Sequence, residues 1–171
     1  MKVLFADASS LCRYSTILVA RQSFDTITVL EAEALYEVNV ILTAEKVLTL
    51  FINLNILEGH AIKHIETIRN LQPTVRIILV VNTLTEYRAN MQLAPHVEGF
   101  LCLEDTLENS KAYIDKILND NLDTDSDKNE YENRCSSTHH VSDQQTSTLF
   151  KAYTSIVKHC WADHLTYYLA K

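Results

Sequence analysis

Glycine and proline are almost missing from this chain: 171 residues contain two of each. Against average usage of roughly 7% and 5%, this excludes collagen-like and low-complexity architectures. It also excludes the Gly-rich loops that bring backbone amides close to a phosphate, so neither a Walker nor a Rossmann site is present. The four cysteines, Cys12, Cys102, Cys135 and Cys160, lie far apart and form no C-x-x-C pair. They read as reduced, mostly buried thiols of a cytoplasmic protein, and a disulfide framework is not expected. An excess of basic charge is lacking too. Fifteen Lys and Arg against 22 Asp and Glu give a formal net charge of −7, so any contact with DNA has to be local. No window approaches roughly 18 uninterrupted apolar residues, and the N-terminal MKVLFADASS reaches an acid after a short apolar run. Neither a signal peptide nor a membrane span is expected.

What is present is an ordinary globular composition, 47% hydrophobic and 22% charged, enough for one domain and a smaller appendage. Residues 2 to 6 (KVLFA) form a short apolar run that precedes Asp7, and Leu11, Tyr14, Ile17, Leu18 and Arg21 follow at helical spacing. Residues 26 to 30 read as a second strand and 34 to 45 as a helix. The continuous apolar run 48 to 54 (LTLFINL) is of strand length and suits a strand buried on both faces. Ile62, Ile65 and Ile68 mark an amphipathic helix over 60 to 70 that stops before Gln72 and Pro73. The β-branched run 75 to 81 (VRIILVV) is the strongest strand. A helix over 85 to 94, a strand over 97 to 103 and a helix over 106 to 119 complete a (βα)5 alternation. This pattern implies a parallel five-stranded sheet with helices on both faces and right-handed crossovers. Functional residues of such folds gather at the carboxyl ends of the strands, here Asp7, Asn53, Val81 and Leu103.

Residues 120 to 140 are polar and acidic and read as a flexible linker. Residues 141 to 171 regain apolar periodicity, including Phe150, Tyr153, Trp161 and Tyr168, and predict one or two helices. Residues 1 to 119 are thus expected to form the main domain, followed by the linker and a helical tail.

The stretches FADAS (5 to 9), FINLNILEG (51 to 59), ILVVN (78 to 82) and GFLCL (99 to 103) resemble the receiver domain of bacterial two-component response regulators of the LuxR/NarL type. The resemblance covers residues 2 to about 118, and the separations Asp7 to Asn53 (46 positions) and Asn53 to Leu103 (50) are natural for a receiver. It implies the flavodoxin/CheY-like doubly wound fold. It also implies that Asp7 and Ala8 stand where the family has an acid pair, Asn53 where it has the phosphoacceptor, Val81 where it has Ser or Thr, and Leu103 where it has Lys.

Only Asp7 of that set keeps the family's chemistry. Phosphoryl transfer to an aspartate needs an ionised nucleophile, further carboxylates for Mg²⁺, and hydroxyl and ammonium groups to take up charge. Asn53 is a neutral amide, and a lone carboxylate does not replace a Mg²⁺ site. The chain therefore reads as a pseudo-receiver, with no cofactor and no metal, in which Val81 and Leu103 are free to pack against one another. The resemblance further implies a contact face on the fourth helix, fifth strand and fifth helix, drawing on Tyr87, Met91, Phe100, Tyr113 and Lys116. The tail aromatics Phe150, Tyr153, Trp161 and Tyr168 offer a second partner surface.

Segments 141 to 153 (VSDQQTSTLFKAY) and 158 to 165 (KHCWADHL) are similar to the start of a LuxR-type helix-turn-helix, without its glycine and its recognition helix. Other candidate sites are weaker. Asp123, Asp125 and Asp127 resemble a calcium loop, but Lys128 replaces the glycine and Arg134 the closing glutamate. His60 with His64, and His159 with Cys160 and His164, lack a second ligand pair and read as ordinary histidines and cysteine. Cys102, within an apolar strand, reads as inert core. The expected function is a non-enzymatic, phosphorylation-independent signalling protein that acts through a protein partner or a second copy of itself in transcription regulation. The alternative is an atypical DNA-binding regulator.

Overall fold

A computed structural model describes residues 1–119 of the chain apart from Asp25 and Glu58. The linker 120 to 140 and the tail 141 to 171 lie outside the described residues. So do Phe150, Tyr153, Trp161 and Tyr168, the calcium-loop-like aspartates and the His159, Cys160 and His164 group.

Strands and helices alternate as β1 (Lys2–Ala6), α1 (Ser10–Ser23), β2 (Thr28–Ala32), α2 (Leu35–Ala44), β3 (Thr49–Asn53), α3 (Ala61–Leu71), β4 (Arg76–Val81), α4 (Leu84–Ala89), β5 (Gly99–Cys102) and α5 (Leu107–Leu118). All strand pairs are parallel, in the order β2-β1-β3-β4-β5. This is the expected five-stranded parallel α/β architecture. β2 begins and ends two residues later than expected, because weak alternation over 26 to 30 does not specify register. The expected helix over 85 to 94 is cut to α4 and a 3-10 segment, Met91–His96, that contains Pro95. α4 closes at Asn90, whose N–H bonds the Tyr87 carbonyl three residues back, so the chain leaves the α-helical path for the tighter 3-10 pattern before Pro95 is reached.

Alternate strand residues point to opposite faces and build two cores. Leu4, Leu50, Ile52, Ile77, Leu79 and Val81 lie in one, under α2, α3 and α4. Val3, Phe5, Phe51, Ile78, Val80 and Leu101 lie in the other, under α1 and α5, where the Phe5 and Phe51 rings stack 5.1 Å apart. The α1 stripe differs from expectation. Arg13, Thr16, Ile17 and Ala20 face inward, whereas Tyr14 and Leu18 are exposed. Both sets have helical spacing, and the inward one includes the polar Arg13 and Thr16, so periodicity alone does not choose between them.

Each of the two glycines has a backbone reason. Gly59 takes φ 59° in the turn before α3, a left-handed conformation that side chains disfavour. Gly99 opens β5 under the Tyr113 hydroxyl, which a Cβ at position 99 would approach to 1.9 Å. Burial pushes the Tyr113 phenol pKa up, and the Phe100 backbone hydrogen-bonds to its oxygen. Gly99→Ala is expected to cost about 1–3 kcal/mol through overpacking. In a Tyr113→Phe background the added cost should fall by at least half, since the clashing atom is gone. Urea unfolding of the four proteins measures this coupling, and equal costs in both backgrounds would refute it.

Candidate functional site

The strand order reverses between β1 and β3, and at that switch point their carboxyl ends open a crevice. Asp7 follows β1 directly, and Asn53 closes β3. Both are buried. Local sequence holds Asp7 in place: Ser9 caps α1, its Oγ accepting the Cys12 N–H, and the Ser9 N–H donates to Asp7 Oδ1 at 2.7 Å.

Across the crevice the Asn53 Nδ2 donates to Asp7 Oδ2 at 2.8 Å. The Asn53 Oδ1 is also used, accepting the Asn55 N–H at 2.9 Å. A weaker contact at 3.5 Å runs from the same Nδ2 to Asn82 Oδ1, one residue beyond β4. Both carboxylate oxygens of Asp7 and both ends of the Asn53 amide therefore have partners inside the protein. Burial raises the Asp7 pKa from its ordinary value, against the Ser9 N–H, the Asn53 amide and the Arg13 charge, which pull it down.

Arg13, buried in the first turn of α1, holds the outer side of the crevice. Its Nη1 donates to the Asp7 carbonyl at 2.6 Å, its Nε to Glu31 at 2.8 Å and its Nη2 to Glu33 at 2.9 Å. The guanidinium thus ties the end of β1 to the end of β2. Beyond β4, Thr83 caps α4, while Glu86 accepts the Asn82 N–H at 2.6 Å and Glu104 accepts the Leu84 N–H at 2.9 Å.

Of the five residues expected in the pocket, the structure joins two by side-chain contact, Asp7 and Asn53. Ala8 is exposed. Val81 and Leu103 do not pack together: their backbones are hydrogen-bonded at 2.9 Å, but Val81 enters the core under α3 and α4 while Leu103 packs toward α5. Residues in register on neighbouring strands share a face. Leu103 is one step out of that phase, since Val81 pairs with Cys102.

The expected contact face is also altered. Tyr87 and Phe100 are each 5% exposed and meet edge-to-face, ring centroids 5.1 Å apart, so neither is available at the surface. Met91, Tyr113 and Lys116 are half-buried. Cys102 is fully buried and Cys12 is half-buried, and neither forms a disulfide among the described residues. Arg13, Asn82 and Asn55 escaped sequence reasoning. A signal for Arg13 existed in its position six residues after Asp7, on the face of α1 that continues through Ile17 and Ala20.

Neither a protein-family model nor a curated protein matches the sequence. Solved structures do resemble the chain. A two-component response regulator from Clostridium difficile is 18% identical, with a TM-score of 0.58 over 70% of this chain and 97% of that one. A LuxR family DNA-binding response regulator from Silicibacter pomeroyi is 18% identical, with a TM-score of 0.56 over 70% and 92%. A response regulator from Burkholderia pseudomallei, solved with a phosphorylated aspartic acid, calcium ion and citrate, is 15% identical, with a TM-score of 0.58 over 80% and 74%.

The fold is that of a response regulator receiver domain. Receiver chemistry implies a divalent cation, and the residues at this crevice do not fit one. Among the described residues Asp7 is the one carboxylate hydrogen-bonded to Asn53, its oxygens accept protein N–H groups, and the Asn53 amide nitrogen points its hydrogens at the carboxylate. Among the described residues no group of three or more His, Cys, Asp or Glu is placed to hold a metal. Hard cations of this kind want several oxygen ligands, which the described residues of this crevice do not offer. Among the described residues no helix is long and apolar enough to cross a membrane.

Proposed function

We propose that the chain is a pseudo-receiver: a cytoplasmic, non-enzymatic signalling protein that works by protein contact, without phosphorylation, in transcription regulation. The observation that carries this reading is the 2.8 Å hydrogen bond from the Asn53 amide to Asp7. It puts a neutral, non-nucleophilic group at the phosphoacceptor position and occupies the one carboxylate left beside it. An amide bonded in this way holds the Asp7 carboxylate against Asn53 in the unmodified chain. The crevice then serves as a fixed latch, and signalling falls to partner contacts. With Tyr87 and Phe100 buried, those contacts draw on the remaining face around Met91 and Lys116, with a second copy of the chain as the favoured partner.

The test is exposure of the full chain to a small-molecule acyl phosphate with Mg²⁺, followed by intact-mass measurement. The expected outcome is no phosphate on any aspartate, while a phosphorylatable receiver treated in parallel is modified. An acid-labile phosphate on Asp7 or any other aspartate would refute the reading. Light scattering on the full chain is expected to give the mass of a dimer.

A further inference from the structure

We propose that residues 149 to 161 of this same chain pack as an amphipathic helix on the outer seam of α1, covering Tyr14 and Leu18. The surface rests on α1 and the occupant on the tail sequence, so the proposal is independent of the Asp7–Asn53 latch.

The seam lies on the side of α1 turned away from the core. Leu11, Tyr14 and Leu18 stand at i, i+3 and i+7, the spacing with which one helix meets another along a narrow stripe. Leu11 is half-buried, whereas Tyr14 is 56% and Leu18 39% exposed. A solvated helix face ordinarily carries charge. Here α1 contains no acid, its Arg13 is buried against Glu31 and Glu33, and Arg21 in the last turn is the one exposed charge of the helix.

The place where the chain leaves the domain points to the occupant. In a parallel sheet the helices that follow β1 and β5 both run back to the amino edge. α1 and α5 pack together on this course, and Ile17, Val19 and Ala20 share one core with Ile114, Ile117 and Leu118. The chain therefore leaves α5 at Asn119 beside the C-terminal half of α1. Even as a random coil, the stretch from 120 to 148 spans roughly 30 Å, and α1 is about 21 Å long, so the whole seam is within reach.

The tail carries the complementary pattern. Leu149, Tyr153, Ile156 and Cys160 recur at alternating steps of four and three, and on a helix Lys151 and Lys158 fall on the opposite side. Two apolar stripes can then meet without burying a charge. A second copy of the chain fits less well, because a stable interface between separate molecules takes about 800 Å² from each partner, more than two partly covered side chains supply. A tethered segment needs less, since the tether holds it at an effective concentration of about millimolar. Tyr36 and Val40 of α2 are more exposed than the α1 pair, but α2 covers the opposite layer of the sheet from α5.

Trp161 is the single tryptophan of the chain and reports the docking. In the full chain its emission is expected to be that of a covered indole at every protein concentration. Leu18→Glu is expected to raise acrylamide quenching of Trp161 at least about twofold, because docking would then bury an unpaired charge. Val40→Glu, at an exposed position on the other layer, should leave quenching unchanged. Photo-crosslinking of Tyr14→p-benzoylphenylalanine, in a mixture of unlabelled and isotopically labelled full chains, should join that position to peptides from 149 to 161 of the same isotope. Crosslinks between chains of different isotope would assign the seam to a second copy and overturn the proposal. So would crosslinks that miss the tail, no crosslink at all, or Trp161 quenching that Leu18→Glu leaves unmoved or that Val40→Glu raises equally.

Discussion

Asn53→Asp is expected to destabilise the chain by about 3–5 kcal/mol at mildly alkaline pH, the cost of an uncompensated buried charge. The wild-type amide donates to Asp7 Oδ2 at 2.8 Å. An aspartate there exchanges a donor for a second carboxylate at contact distance, in a crevice whose burial already raises the Asp7 pKa. Two carboxylates so close share one proton and titrate as a pair, one apparent pKa being strongly raised. A raised folded-state pKa means that the folded chain holds a proton which the unfolded chain releases near pH ~4. The deficit is therefore small below about pH 4 and grows as pH rises through the raised value. Wild type follows the same sign over a narrower window, since Asp7 alone is raised. Urea unfolding across pH measures the profile. The exchange Asp7→Asn with Asn53→Asp restores one amide and one carboxylate and should recover most of the loss. A loss independent of pH, or an exchange no better than the single variant, would show that the latch is not the Asp7–Asn53 bond.

Arg13→Ala is expected to cost about 2–4 kcal/mol. Three donors vanish together, and the Asp7 carbonyl is left without the Nη1 bond of 2.6 Å. A buried acceptor without a partner costs about 1–3 kcal/mol, and the lost stem adds packing. Glu31 and Glu33, both exposed, return to water and contribute little, so the loss sits at β1. Arg13→Lys should recover less than half, because one ammonium cannot address three acceptors set around a planar fork. Thermal unfolding of the two variants decides this: if Lys restores full stability, the fork geometry is irrelevant and charge alone suffices.

Much of the fold was legible because its signals are local. The runs KVLFA, TLFIN and RIILVV are too short and too continuously apolar for anything but buried strands, and the stop at Gln72 and Pro73 is chemical. The residues at the strand ends were legible as well: Asp7 and Asn53 meet as their positions implied. What failed did so for one physical reason, that a face is not visible in a chain. Val81 and Leu103 occupy neighbouring strand ends but opposite layers, because the register pairs Val81 with Cys102. Tyr87 and Phe100 read as surface aromatics until the shortened α4 folded one ring onto the other. On α1, Tyr14 and Leu18 kept helical spacing with the wrong side outward.

By itself the sequence determined the order of the elements, the parallel five-stranded sheet and the neutral amide of Asn53 at the end of β3, since these depend on residue type, period and spacing along one dimension. Only the tertiary structure decided that the Asn53 amide satisfies Asp7, that Arg13 closes the outer side of the crevice, and that α4 stops at Ala89 and leaves a cleft beside α3. Each of these depends on the direction of a side chain across strands or helices distant in sequence, and packing alone sets that direction.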